Sequence, residues 1–94
     1  MVSNSREMGT YFLSGLKKIE NENVKEIRGR GLMIAIEFYE GIEGGARAVA
    51  EKLQRLGLLC KETHTYTLRF APPLVITKEE IDWALERITQ VLTQ

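Results

Sequence analysis

Apolar and polar residues recur along the chain with regular spacing, and the spacing predicts seven elements of secondary structure. Their predicted order is helix, strand, strand, helix, strand, strand, helix. That order is typical of an α+β fold, a two-layer domain with a mainly antiparallel sheet of three to four strands and helices packed on it. Residues 1–94 are predicted to form one domain, because a chain of this length buries a single core and contains no repeat or linker.

Three segments have apolar residues at the spacing of one helical face. The first helix is predicted to end at about Lys18, the second to run from about Ala46 to Leu56, and the third to follow a capping box of Thr77 and Glu80. Gly57 lies where a helix commonly ends in a left-handed residue. The apolar residues that should face the core are Met8, Phe12, Leu16 and Ile19 in the first helix, Ala46, Val49, Ala50, Leu53 and Leu56 in the second, and Ile81, Ala84, Leu85, Ile88, Val91 and Leu92 in the third.

Two predicted strands precede the second helix. Val24–Arg28 alternates weakly, whereas Leu32–Phe38 is apolar on both faces and is therefore predicted to be a central strand covered on both sides. The glycine-rich residues 29–31 lie between them and are predicted to form a tight hairpin or a bulge. The two strands should therefore be neighbours in the sheet.

A second hairpin is predicted from strands at Leu58–Cys60 and Tyr66–Phe70, joined by the polar residues 61–65. Alternation in the later strand puts Arg69 between two core-facing apolar residues, so its guanidinium should reach bulk water poorly and need an anion close by. That anion is either the carboxylate of a bound ligand, held through two parallel hydrogen bonds, or a structural ion-pair partner such as Glu37.

The composition excludes several classes of protein. Thirteen basic residues balance thirteen acidic ones without a basic stripe, which argues against nucleic acid as a partner. The longest apolar run, Leu32–Ile36, is too short to cross a membrane. The single cysteine, Cys60, excludes an internal disulfide, favours a cytoplasmic location and is predicted to be an inert core thiol. No cysteine and histidine cluster supports a metal site.

Other residue types that carry chemistry are present but isolated. His64 could act as an acid or base, but no partner is placed to orient it, and a loop histidine bonded to the backbone is the alternative. Gly44 and Gly45 before a helix resemble an anion cradle, yet no phosphate-loop motif accompanies them. No lysine lies in an apolar run that would activate it. We therefore predict that the chain carries no catalytic residue of its own.

Three segments resemble the C-terminal end of the ornithine aminotransferases, a family of class III, fold-type I pyridoxal-phosphate enzymes. They are residues 24–38 (VKEIRGRGLMIAIEF), 57–64 (GLLCKETH) and 68–76 (LRFAPPLVI), and the predicted helix at residues 78–92 is similar to the final helix of that family. The resemblance implies that residues 1–94 are the C-terminal small domain of such an enzyme.

The resemblance also implies a role for Arg69. It matches the family's arginine that binds the α-carboxylate of the amino-acid or keto-acid substrate and that a glutamate of the large domain also holds. The parent enzyme would transfer the δ-amino group of ornithine to 2-oxoglutarate, as a homodimer using pyridoxal phosphate. The Schiff-base lysine and the phosphate-binding loop belong to the large cofactor-binding domain. The 94-residue chain alone is therefore expected to bind no cofactor and to be inactive.

Three alternatives stay open at this stage. Within the enzyme class, the parent could be an acetylornithine transaminase or another class III transaminase of ω-amino acids. Outside it, the chain could be a stand-alone α+β module that binds a small carboxylate through Arg69, or an interaction domain that docks through Tyr11, Leu13 and Trp83.

Overall fold

The chain folds in the predicted order of elements. A computed structural model describes residues 2–19, 21–58, 60–64, 66–71 and 76–93. Within these ranges the elements are α1 (Val2–Lys17), β1 (Val24–Arg30), β2 (Met33–Phe38), α2 (Gly45–Arg55), β3 (Lys61–His64), β4 (Thr67–Phe70) and α3 (Lys78–Leu92). The α+β class is confirmed. No helix in the described ranges is both long and apolar enough to cross a membrane.

The four strands form one antiparallel sheet in the order β1-β2-β4-β3. Two hairpins thus lie side by side, with β2 and β4 in the middle. The first hairpin turns at Gly31 and Leu32, because Arg30 pairs with Met33. Gly31 has a φ of 60°, which is strained for residues with a Cβ, so the predicted hairpin is confirmed with glycine at its turn.

All three helices cover the same face of the sheet. α1 packs on β1 and β2, α2 packs on β3 and β4, and α3 packs against both helices. One hydrophobic core results, in which the rings of Phe12 on α1 and Phe70 on β4 lie 6.0 Å apart. The largest fully buried side chains are Phe12, Leu16, Ile34, Ile36, Phe38, Leu53, Leu68, Ile81 and Ile88.

The opposite face of the sheet is open, and the prediction that β2 is covered on both sides is wrong. Met33 lies on this open face with 49% of its surface exposed, and Glu37 on the same face is half-buried. The apolar pattern of β2 misleads because Met33 and Ala35 are apolar without being covered. Its buried residues, Ile34 and Ile36 among them, occupy every second position, as expected for a strand with one covered face.

The first strand of the second hairpin lies later than the pattern predicts. β3 occupies the polar residues Lys61–His64, and the apolar residue Leu58 takes part in the cap that follows α2. There the amide of Leu58 donates to the carbonyl of Leu53 and the amide of Gly57 to that of Gln54, both at 3.0 Å. This is the bonding of a Schellman cap, with Gly57 at a φ of 90°. An amide used by the cap cannot join a strand ladder, so β3 begins further on.

Candidate functional site

Arg69 lies on β4 with its side chain on the open face of the sheet. Its neighbours in the strand, Leu68 and Phe70, are 0% and 2% exposed, so the predicted alternation is confirmed. The predicted poor access of Arg69 to water is wrong, because the residue is exposed and none of the three described helices covers the face on which it lies. Its guanidinium is therefore presented outward, where a ligand or another polypeptide can reach it.

A row of residues crosses the open face at the level of Arg69. Arg28 on β1 is opposite Ala35 on β2, Ala35 is opposite Arg69 on β4, and Arg69 is opposite Lys61 on β3. Directly opposite residues project from the same face of a sheet. Strands are about 4.8 Å apart, so the backbones of Arg28 and Arg69 are separated by about 10 Å, with a methyl group between them.

The space above Ala35 forms a depression of about 290 Å³. Arg28, Arg30 and Arg69 contribute its charged groups, and Met33 contributes an apolar edge. On its other side Arg69 borders a second open depression of about 340 Å³ together with Lys61. Guanidinium groups bind planar anions through pairs of parallel hydrogen bonds, so this surface has the chemistry of a carboxylate site.

Glu37, the predicted ion-pair partner of Arg69, is instead held by side chains of β1. Its Oε1 accepts a hydrogen bond of 2.7 Å from Arg28 Nη1, and its Oε2 lies 3.5 Å from Lys25 Nζ. Arg28 also bonds Glu26 at 2.9 Å. The hydrogen bond from Arg28 lowers the pKa of Glu37 below its ordinary value. In the part of the chain that the structure describes, no ion pair involves Arg69.

Sequence reasoning missed Arg28, Arg30 and Lys61 as neighbours of Arg69. A signal for the first two was present, because a two-residue turn at residues 31–32 sets the register of the hairpin and aligns Arg28 with Ala35. Lys61 could not be found in this way, since its strand was assigned to the preceding apolar run.

Among the side chains that the structure describes, the remaining candidates give no second site. Burial raises the pKa of the Cys60 thiol to about 11, in keeping with the predicted inert thiol. At the start of α2, Gly44 approaches Ala48 so closely that an added Cβ would lie 2.6 Å from the Ala48 methyl, and the Gly45 amide donates to the Ile42 carbonyl. The side chain of His64 lies outside the described part of the chain. The described residues contain no group of three or more potential metal ligands.

The predicted docking surface is only partly exposed. Trp83 is 38% exposed, with the Arg87 guanidinium 4.2 Å from the centre of its ring. Tyr11 and Leu13 are half-buried against the core, and the Tyr11 hydroxyl donates a hydrogen bond to Asp82 on α3. Tyr11 and Leu13 therefore pack within the fold, and Trp83 is the exposed member of the predicted surface.

The fold is that of a domain found in transaminases. The family model described as aminotransferase class-III matches residues 1–92, and the chain belongs to this family. The ornithine aminotransferase of Brevibacillus brevis is 59% identical over 92 residues, which are 98% of this chain and 22% of that protein. The chain thus spans about a fifth of the length of such relatives.

Solved structures of two transaminases have the same fold over nearly the whole chain. The ornithine δ-aminotransferase of Plasmodium falciparum is 35% identical, with a TM-score of 0.89 over 96% of this chain and 24% of that one. The acetylornithine aminotransferase of Elizabethkingia anophelis is 30% identical, with the same TM-score and the same shares of the two chains.

The family implies pyridoxal phosphate in the complete enzyme, but the described residues do not fit this cofactor by themselves. Its chemistry requires a lysine activated in an apolar pocket, and all six lysines of the chain are exposed. Its phosphate requires a cradle of unoccupied amides, and at the start of α2 the Gly45 amide is already bonded to the Ile42 carbonyl. The described residues therefore offer this cofactor neither a lysine shielded from water nor a cradle for its phosphate.

Proposed function

We propose that the chain is the C-terminal small domain, residues 1–94, of a pyridoxal-phosphate-dependent ornithine aminotransferase, and that Arg69 binds a substrate carboxylate. The parent reaction would transfer the δ-amino group of ornithine to 2-oxoglutarate. The observation that carries the role of Arg69 is its position on the open face, in an arginine-lined depression and without an ion-pair partner in the described chain. The identity of 59% to an ornithine aminotransferase supports the choice of parent enzyme.

The open face explains how a small domain takes part in a site whose cofactor lies elsewhere. The relatives are more than four times longer than this chain, so their remaining polypeptide is available to cover the face. Covering would remove water from Arg69 and strengthen its attraction to a carboxylate, because the interaction between charges grows as the local dielectric falls. We propose that the covering part is the large cofactor-binding domain, within a homodimer.

The test uses a hybrid enzyme, the ornithine aminotransferase of Brevibacillus brevis with its matching segment replaced by this chain. In the hybrid enzyme, Arg69→Ala should raise the KM for 2-oxoglutarate by about thirtyfold or more, because truncating one partner of a covered charge pair costs 2–5 kcal/mol. Cofactor affinity should change little. Arg47→Ala is the control, since Arg47 is an exposed arginine paired with Glu51 on α2. An unchanged KM for both substrates in Arg69→Ala would show that Arg69 does not bind the substrate carboxylate.

The similarity to an acetylornithine aminotransferase structure supports a second candidate within the same class. The two candidates differ in the amino donor, because acetylation of the α-amino group of ornithine removes its positive charge. The ratio of kcat/KM for ornithine and for N-acetylornithine separates them in the native complete enzyme. If kcat/KM is higher for N-acetylornithine than for ornithine, the parent enzyme is an acetylornithine aminotransferase.

We also propose that the 94-residue chain alone neither binds pyridoxal phosphate in an ordered site nor catalyses transamination. The exposure of all its lysines supports this, because none is shielded from water in the way that an activated amine requires. Absorbance titration of the chain with the cofactor tests it. Stoichiometric formation of a lysine adduct would overturn it.

A further inference from the structure

We propose that Arg28 is a positioning residue that holds Glu37 toward β1 and thereby keeps Arg69 available to a carboxylate ligand. The inference rests on the proposed role of Arg69. It adds two residues, Arg28 and Glu37, whose contact with each other would determine how strongly the site binds an anion.

The register of the sheet brings Glu37 within reach of Arg69. Glu37 on β2 is directly opposite Thr67 on β4, and Arg69 is two residues further along the same face of β4. Such diagonal neighbours lie about 7–8 Å apart, a span that long side chains can bridge. Glu37 is therefore a carboxylate of this chain that could occupy the guanidinium of Arg69 in place of a substrate.

Contacts with β1 draw Glu37 to the other side. Both of its carboxylate oxygens are engaged there, one by Arg28 at 2.7 Å and the other by Lys25 at 3.5 Å. The contact with Arg28 is the shorter and is a charge-assisted hydrogen bond. β1 and β4 flank β2 on opposite sides, so a Glu37 that turns to Arg28 turns away from Arg69.

Removing the Arg28 guanidinium should turn Glu37 from β1 toward Arg69. Glu37 would keep only the longer contact with Lys25, and Arg69 would become a competing cation on its other side. A substrate carboxylate would then have to displace Glu37. Competition from one exposed ion pair corresponds to about a fivefold loss of affinity, and covering of the face would increase this loss. The effect should appear in KM and leave kcat unchanged, because Arg28 does not touch the reacting atoms in this scheme.

The experiment measures KM and kcat for 2-oxoglutarate in the hybrid enzyme. Arg28→Gln should raise KM by about fivefold or more at constant kcat. The double variant Arg28→Gln/Glu37→Gln should return KM to the starting value, because the competing carboxylate is gone. Arg28→Lys should leave KM close to the starting value, since a lysine can still attract Glu37. Arg47→Gln, which removes a separate exposed ion pair with Glu51, should leave both constants unchanged.

Two results would overturn the inference. One is an unchanged KM in Arg28→Gln, and the other is a raised KM that persists in the double variant, because the effect would then not depend on Glu37. If Arg28→Gln does not fold, Lys25→Gln replaces it. Its expected rise in KM is about twofold, which corresponds to half of the free energy of an exposed ion pair. Adding Glu37→Gln to this variant should abolish the rise. Failure of the proposed function is recognised separately, because Arg69→Ala would then leave KM unchanged whatever Arg28 does.

Discussion

Lys61 and Arg69 are directly opposite each other on the adjacent antiparallel strands β3 and β4, so two positive charges share the open face of the sheet. Both residues are exposed. Like charges at directly opposite positions destabilise a sheet, so the fold alone gives no reason for this pair. A surface that binds an anion does give one, because both charges would attract it.

Replacing Lys61 should therefore change stability and substrate binding in opposite directions. Lys61→Glu should stabilise the chain against urea by about 0.5 kcal/mol, because a repulsive cross-strand pair becomes attractive. In the hybrid enzyme the same variant should raise the KM for 2-oxoglutarate, since the new carboxylate competes for Arg69. Lys61→Gln is the matched control, and both its stability and its KM should lie between those of the unchanged chain and those of Lys61→Glu. A more stable variant with unchanged KM would mean that the face does not bind substrate.

A close approach between two backbones joins the first helix to the first hairpin. A Cβ added at Gly9 on α1 would lie 1.9 Å from the carbonyl oxygen of Gly31 in the β1–β2 turn. Helix propensity favours alanine over glycine by about 1 kcal/mol, but a backbone oxygen cannot move aside as a side chain can. Packing without a side chain at Gly9 is therefore what allows α1 to cross the turn.

Gly9→Ala should lower the free energy of unfolding by about 1–3 kcal/mol, because overpacking outweighs the gain in helix propensity. Gly15→Ala on the same helix is the control. Its Cβ would meet the flexible tip of Leu85 at 2.5 Å, and that tip can shift. Urea unfolding of the 94-residue chain measures both, since the chain has one continuous hydrophobic core. Equal stability of the two variants would contradict the proposed cause.

Local signals were sufficient for most of the fold. α3 spans Lys78–Leu92 as predicted, because its apolar period and the capping box at Thr77 lie within one short segment. Gly57 has the predicted left-handed conformation for the same reason. The pattern of β4 also identified Leu68 and Phe70 as core residues. In each case the residues that determine the structure are close together in sequence.

Features that depend on residues far apart in sequence could not be predicted from local patterns. Whether the second face of β2 is covered depends on where three helices pack, which no strand pattern records. The residues of β3, Lys61–His64, carry no apolar alternation, so the place of this strand follows only from its pairing with β4. The choice of Glu37 between Arg28 and Arg69 depends on the pairing of three strands. The candidate site consists of such relationships, and only Arg69 and its possible partner Glu37 could be named beforehand.

The capping box at the start of α3 should make a measurable contribution to stability. The Thr77 hydroxyl accepts a hydrogen bond from the Glu80 amide at 3.2 Å, and the Thr77 amide donates to the Glu80 carboxylate at 3.0 Å. Thr77→Ala should therefore lower the free energy of unfolding by about 1 kcal/mol. Thr89→Ala is the control, because the exposed Thr89 hydroxyl only bonds the Leu85 carbonyl of its own helix. Similar losses in both variants would argue against the cap.

The bond between Arg28 and Glu37 should give the stability of the chain a specific dependence on pH. The hydrogen bond from Arg28 lowers the pKa of Glu37, so the folded chain holds the ionised carboxylate more strongly than the unfolded chain does. The resulting stability is fully present above the unfolded pKa of about 4.5 and is lost as pH falls through the lower folded pKa. We therefore expect the urea midpoint of the native chain to exceed that of Glu37→Gln by a constant amount between about pH 7 and pH 5.5, and the difference to shrink on further acidification. A difference that is independent of pH down to about pH 2 would show that the carboxylate of Glu37 gains nothing from Arg28 in the folded chain.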